Sequence, residues 1–262
     1  LTFVENMSVD DPRIIRHCAE LDRCNQRGGR MLSVLDLIDA GTLDLDLAAY
    51  LMARITRGAS FIVGAKPGGA GKTTVMCALL NLILPDMEIV AATPDAVHRA
   101  VRDDTVPKSC YVCHEIGRGR YFAYLWGADL RAYFSLLDKG HGLATNLHAD
   151  DLDEAREHIC SDNIVPASHF NACNLALFVR MKHRGRDPQR WIDKVYVSDG
   201  HSPHRLAFDG RTNANPPMLR NDDSLEKRWM SRCRRFLEDA LQSNVRTIEE
   251  TRQRVVDFLE SR

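Results

Sequence analysis

The segment Ser60-Phe-Ile-Val-Gly64-Ala-Lys66-Pro67-Gly68-Gly69-Ala70-Gly71-Lys72-Thr73-Thr74 sets a short apolar run directly before a glycine-rich turn, and Val75-Met-Cys-Ala-Leu-Leu-Asn-Leu-Ile-Leu84 continues with a helix-like pattern as far as Pro85. Strand, loop, helix is the order that a phosphate-binding loop requires. Glycines let consecutive backbone N–H groups curl around a β-phosphate, and the helix that follows adds the positive end of its dipole. On this pattern Gly68, Gly69, Ala70, Gly71, Lys72, Thr73 and Thr74 are the nucleotide-binding residues; Lys72 neutralises the β and γ oxygens and the Thr73 hydroxyl is a Mg²⁺ ligand. Lys66 stands where the G-x-x-x-x-G-K-T pattern has its first glycine, with Gly64 the nearest glycine upstream. That departure bears on the geometry at the start of the loop more than on its identity.

Outward from the loop, the pattern alternates. Upstream, the apolar stripe of Met31–Ala40 closes at Gly41, and Asp44–Ile55 follows as a second helix with the Thr42 hydroxyl as its cap and Gly58 as its stop. Downstream, strands are expected at Met87–Ala92, Cys110–His114, Leu143–Leu147, Leu175–Met181, Trp191–Val197 and His204–Phe208, and helices at Asp95–Arg102, Ala128–Leu137 and Leu152–Cys160. Such alternation argues for an α/β core with a mainly parallel sheet. The short turn at His183-Arg-Gly-Arg-Asp-Pro argues for an antiparallel hairpin appended to it. After the Pro216-Pro217 break, Asp223-Ser-Leu-Glu226 and the capping box Thr247-Ile-Glu-Glu250 each start a terminal helix. Residues 1–30 have only weak periodicity and are expected to be helical in part. The resulting division is a helical extension and lead-in over 1–58, the core over 59–215 and a helical tail over 216–262.

Composition narrows the class. The 262 residues carry 35 Lys+Arg against 36 Asp+Glu, a formal charge of −1, which argues against a strongly basic nucleic-acid coat, and no nucleic-acid partner is expected. At 44% hydrophobic and 27% charged the chain can bury a substantial core. No run approaches the roughly 20 apolar residues of a membrane span. The chain opens without a basic-then-apolar leader, and its eight scattered cysteines are expected as reduced thiols in the cytoplasm.

Several separated stretches together resemble the secretion ATPases of type II and type IV systems and of type IV pilus machines. Ser33-Val-Leu-Asp-Leu-Ile-Asp-Ala-Gly-Thr-Leu43, Ala48-Ala-Tyr-Leu51 and Gly58-Ala-Ser-Phe-Ile-Val63 look like the family's lead-in to the phosphate loop, and Gly140-His141-Gly-Leu-Ala-Thr-Asn-Leu-His148-Ala149-Asp150 looks like its histidine box. The likeness covers about residues 31–182. It implies a RecA-like P-loop fold, ATP with Mg²⁺, and motor activity in a ring, usually a hexamer, docked on inner-membrane platform proteins. It also implies that Lys108–Gly119 holds the Walker B strand, with Glu115 as catalytic carboxylate and second Mg²⁺ contact, His148 as sensor of the γ-phosphate, and Arg118, one place later than the family arginine, as a catalytic arginine. The sequence departs from the family where Ile89-Val-Ala-Ala-Thr-Pro-Asp95 keeps Thr-Pro-Asp but lacks the acidic pair before it. The shortened span from Asp95 to Glu115 removes the segment that brings arginines to the phosphates, leaving Arg99, Arg102 and Arg118 as substitutes.

Two other readings of the loop stay open at this stage: a nucleotide-binding scaffold or regulator that has lost turnover, and a P-loop kinase acting on a small acceptor. Cys110-Tyr-Val-Cys113-His114 spells a haem-attachment string, and His114, His158, Cys160, His169 and Cys173 supply zinc-ligand types, but buried thiols on a central strand explain the pair more simply. The basic cluster His183–Arg190 reads as a solvated hairpin tip, and Tyr121-Phe-Ala-Tyr-Leu-Trp126 as core or a subunit contact.

Overall fold

The computed structural model describes residues 10–25, 29–184, 187–211, 224–243 and 245–261. The chain start at 1–9, the Pro216-Pro217 break and the boundary at 215/216 lie outside them. The helices are α1 (Pro12–Arg23), α2 (Val34–Asp39), α3 (Leu45–Ile55), α4 (Lys72–Leu80), α5 (Pro94–Arg102), α6 (Ala128–Ser135), α7 (Leu152–Arg156), α8 (Ala167–Ala172), α9 (Ser224–Gln242) and α10 (Ile248–Glu260). The strands are β1 (Phe61–Gly64), β2 (Glu88–Ala91), β3 (Ser109–Ile116), β4 (Tyr124–Leu125), β5 (Gly142–Leu147), β6 (Leu175–Arg184), β7 (Asp187–Val197) and β8 (Arg205–Asp209).

They form one sheet in the order β2-β3-β5-β1-β6-β7-β8, with β4 paired to β3. The strands from β2 to β6 pair in parallel and β6-β7-β8 antiparallel, so the expected parallel sheet with an appended hairpin is what the chain builds. This is the α/β, RecA-like arrangement, in which the strand before the phosphate loop is central and the strand carrying Glu115 is one strand removed, across β5.

Side-chain alternation gives the central strands β1, β3 and β6 two apolar faces. Phe61, Val63, Cys110, Val112, Leu175 and Leu177 face a core shared with α1–α4, α9 and α10, while Ile62, Tyr111, Cys113, Ala176 and Phe178 face a second core under α5, α6 and α8. The lead-in and tail helices thus fill one face of the sheet together. Trp229 of α9 lies buried there, its indole N–H donating to Thr56 Oγ1 at 3.2 Å.

The helix starts follow local chemistry, with one correction. The Asp44 carboxylate, not the Thr42 hydroxyl, caps α3, accepting from Leu47 N at 2.7 Å. Ser33 with Asp36 and Thr247 with Glu250 form reciprocal capping boxes. The segment expected as one helix over Leu152–Cys160 is α7 followed by a wider π-type turn over Glu157–Asp162, and α8 and β4 have no counterpart in the sequence reading. Residues 12–23 form a regular helix, stronger than their weak periodicity indicates, because Asp11 caps it and Pro12 opens it.

Candidate functional site

The loop between β1 and α4 is curled. Gly69 and Gly71 take φ of +84° and +98°, the left-handed region open to glycine at little cost. Lys66 is not among the positive-φ residues, so no glycine is demanded at the start of the loop. Its N–H instead donates to Asp150 Oδ1 at 2.9 Å and its ammonium pairs with Glu154 at 2.5 Å, fastening the start of the loop to the segment after β5. Gly64 answers a different need: a Cβ there would stand 2.7 Å from the Ala149 carbonyl and 2.8 Å from the Phe178 ring.

α4 begins at Lys72 with Gly71 as its cap, and no side chain caps it. An α-helix leaves the N–H groups of its first turn without intrahelical acceptors, so Lys72, Thr73 and Thr74 present donors at the positive end of the helix. Gly68 is exposed and Gly69 partly so, whereas Ala70 is buried.

Lys72 and Glu115, 43 positions apart in the chain, meet across β5. Both are buried, and Lys72 Nζ lies 3.4 Å from Glu115 Oε2 and 3.1 Å from the Ala65 carbonyl. Burial raises the Glu115 carboxyl above the ordinary glutamate range, against the opposing pull of Lys72 and His148. Its Oε1 is buried with no hydrogen-bond partner. Asn146, at the end of β5, fills the space between loop and carboxylate strand: its Nδ2 donates to the His114 carbonyl at 3.0 Å and to Thr73 Oγ1 at 3.4 Å, and its Oδ1 has no partner. Sequence reasoning missed Asn146 as a site residue, although it lies two positions before His148 inside the histidine box.

His148 sits at the loop. Its Nδ1 is 3.3 Å from Lys72 Nζ and 3.1 Å from the Lys66 carbonyl, and its Nε2 is 3.8 Å from Glu115 Oε2. An ammonium only donates and a carbonyl only accepts, so Nδ1 can satisfy just one of these neighbours at a time, and its protonation selects which. His141 lies just before interior strand β5, at the end of the strands opposite the loop, where its Nδ1 accepts from Ser109 N–H at 3.3 Å and its ring packs edge-on to Tyr111.

Arg118 is exposed and stacks over Trp126 at 4.9 Å. Arg99 and Arg102 lie on α5, which follows edge strand β2, three strand spacings or about 14 Å from β1. None of the three expected substitutes is therefore described against the loop. Arg190 of β7 is: its Nε donates to the Gly69 carbonyl at 3.2 Å, and its Cδ would lie 3.0 Å from a Cβ on Gly71. The sequence reading had set the cluster containing Arg190 aside as a solvated tip.

The donor set fits the group expected there. A hydroxyl and a carboxylate are hard oxygen ligands, and Mg²⁺ is held by one or two protein oxygens with phosphates and water rather than by a full protein cage. In keeping with that, no group of three or more His, Cys, Asp or Glu suited to a metal occurs among the described residues, and the zinc reading gains no support. The C-x-x-C string does not form a site either. Cys110 and Cys113 are three apart on one strand and face opposite cores, both thiols buried and pushed up to about 12. His114 turns instead to Cys24 at the end of α1, 3.3 Å from its sulfur, and Cys77 and His114 together draw the Cys24 thiol below its ordinary range.

No protein-family model and no curated protein sequence matches the chain. Among solved structures, its fold is similar to the VirB11 ATPase of the Brucella suis type IV secretion system, crystallised with sulphate, at 18% identity and a TM-score of 0.45 over 74% of this chain and 60% of that one. It is also similar to the ATPase DotB of Yersinia pseudotuberculosis, at 12% identity and 0.43 over 85% and 62%, and to that of Legionella pneumophila, at 14% and 0.43 over 77% and 57%. The chain spans about three fifths of the length of each. At that level of similarity the chemistry of the site rests on its own residues. No helix among the described residues is long and apolar enough to cross a membrane.

Proposed function

We propose that this protein binds ATP with Mg²⁺ at the Lys72 loop and hydrolyses it as a subunit of a ring-forming motor of the secretion-ATPase kind. The observation that carries the reading is the pairing of buried Lys72 with buried Glu115 across β5, next to a glycine-curled loop and an uncapped helix start. A phosphate would accept from the helix start, which no side chain caps, and a cation or a water is what the unpartnered Glu115 oxygen can take.

The loop N–H groups and Lys72 bind and orient the β and γ phosphates, which is where charge builds in phosphoryl transfer. Thr73 and Glu115 would hold Mg²⁺, which would neutralise phosphate charge. Glu115, displaced from Lys72 as the ammonium turns to phosphate, orients the attacking water and takes its proton. Asn146 fixes the Thr73 hydroxyl relative to β3. His148 exchanges its Nδ1 partner between Lys72 and the Lys66 carbonyl as the lysine moves. Ring assembly, hexameric by the family resemblance, and docking on inner-membrane platform proteins from the cytoplasmic side belong to the same proposal. The exposed aromatic side chains Tyr121 and Phe122, just beyond Glu115, support a subunit contact beside the site.

The test compares wild type with Lys72→Ala and Glu115→Gln for ATP affinity and phosphate release, with sizing in ATP and Mg²⁺. Lys72→Ala is expected to weaken ATP binding at least about 100-fold, and Glu115→Gln to retain binding while losing at least about 100-fold in turnover. Binding without phosphate release in wild type favours the scaffold, release only with an added acceptor favours the kinase, and undiminished turnover in Glu115→Gln removes Glu115 from the catalytic role.

A further inference from the structure

β6 and β7 do not stop where the sheet's parallel part stops. Gly64, the last residue of β1, is level with Phe178 on β6, whereas β6 continues to Arg184 and β7 returns from Asp187. At about 3.3 Å per residue, Met181 lies roughly 10 Å past the end of β1, and Arg190 is its register partner on β7. The ribbon therefore walls the phosphate loop on the side away from Glu115, and Arg190 is the side chain it lays on Gly69–Gly71.

The charge pattern on this wall is uneven. Arg180 is engaged by Asp150 at 3.1 Å and Asp193 at 3.6 Å, and Arg211 by Asp193 at 3.4 Å. Arg190 makes no ion pair among the described residues; its guanidinium donates only to the carbonyls of Gly69 and, at 3.4 Å, Pro188. A guanidinium is a planar fork suited to two phosphate oxygens, and a neutral carbonyl is a weaker partner for it than an anion.

We propose that Arg190 is a phosphate-binding arginine supplied by the same chain that owns the loop. With no anion bound it rests on the Gly69 carbonyl; when the polyphosphate of a nucleoside triphosphate enters, the guanidinium turns to it from the β6–β7 side while Lys72 holds it from the β5 side. This inference rests on the reading of the loop as a nucleotide site. It assigns to the hairpin a cationic contact with the loop that is described for Arg190 and for none of Arg99, Arg102 and Arg118.

The experiment is titration of a fluorescent ATP analogue, with ATP and ADP as competitors, into full-length wild type, Arg190→Ala, Arg190→Gln and Arg190→Lys, with Tm measured without nucleotide for each. The expected result is a loss of about tenfold or more in ATP affinity for Arg190→Ala and Arg190→Gln, partial recovery in Arg190→Lys, and unchanged Tm without nucleotide. Unchanged or tighter binding in both neutral variants overturns the proposal, tighter binding meaning that Arg190 only obstructs the loop. A fall in affinity that tracks a fall in Tm and is not recovered by lysine overturns it as well. Wild type that binds no nucleotide sinks the reading of the loop itself, whereas wild type that binds alongside indifferent Arg190 variants sinks only the role of Arg190.

Discussion

The two ends of α4 are finished in opposite ways. At its N-terminus no side chain caps the helix, and beside the Lys72–Glu115 pair the Glu115 Oε1 is buried without a described partner. At the other end the backbone carbonyls are met by a cation, and Asn81 Oδ1 is the buried polar atom left without a described partner. Arg252 of α10, buried to 2% exposure, sends its guanidinium to the carbonyls of Asn81 at 3.2 Å, Ile83 at 2.5 Å and Leu84 at 3.1 Å, and Asn81 Nδ2 donates to the Ile248 carbonyl at 2.9 Å. No carboxylate partner is described for this cation: the negative end of a helix and three carbonyls stand in for one, and burial brings the arginine down to about 10. On the proposed reading, the difference is that a buried side chain of this chain closes one end, whereas a bound phosphate would close the other.

Breaking the closed end is expected to have the largest effect on stability. Arg252→Ala takes this donor from the buried Asn81 and Ile83 carbonyls, while Leu84 still accepts from Met87 N–H at 3.2 Å, and is expected to cost about 2–4 kcal/mol in urea unfolding, with nucleotide affinity of the folded fraction little changed. A loss below 1 kcal/mol would show that water replaces the guanidinium. At the open end, Gly71→Ala puts a side chain at φ +98° and against Arg190 Cδ. It is expected to cost about 1–2 kcal/mol by the same measurement and to weaken ATP binding as well, so the two substitutions separate the ends by what each variant loses.

The third effect is the smallest and is read against pH. Burial raises the Glu115 carboxyl, so the folded chain holds this proton more tightly than the unfolded chain does. Stability contributed by the protonated form is therefore full below the ordinary value of 4.5 and declines as pH rises toward the folded value. Glu115→Gln has no such titration, so the stability difference between wild type and variant should drift against wild type across that window. Turnover should move the other way, because the carboxylate must be ionised to take a proton, and its acid limb should lie above that of an exposed glutamate. A flat difference across the window would mean that Lys72 compensates the burial in full.

How much of this was legible in the sequence follows from how far each feature reaches along the chain. The loop, its flanking strand and helix, and the two capping boxes depend on neighbours within a few residues, and composition encodes them directly. The expected strands all formed, the central ones β1, β3 and β5 as apolar runs buried on both faces and the edge strands β2 and β8 with part of their length exposed. What was not legible depends on register. Arg190 meets Gly69 from 121 positions away only because β6 pairs with β1 on one side and β7 on the other, and in one dimension its neighbours are merely other charged residues. The tolerance of Lys66 at a glycine position is hidden for the same reason, since Asp150 and Glu154 secure it only once β5 lies beside β1. Asp44 displaced Thr42 as a cap through a two-residue difference in where the helix begins, which hydrophobic spacing does not resolve.

The thiols have a practical consequence. Seven of the eight cysteines are sealed in the interior, and only Cys160, on the π-type turn that follows α7, reaches the solvent boundary. Burial raises even that thiol, so a maleimide would couple to it slowly at neutral pH and faster in mild alkali. A dye attached there would ride on the segment that Glu154 fastens to the loop, giving an optical readout of loop movement in the native sequence, with no cysteine removed.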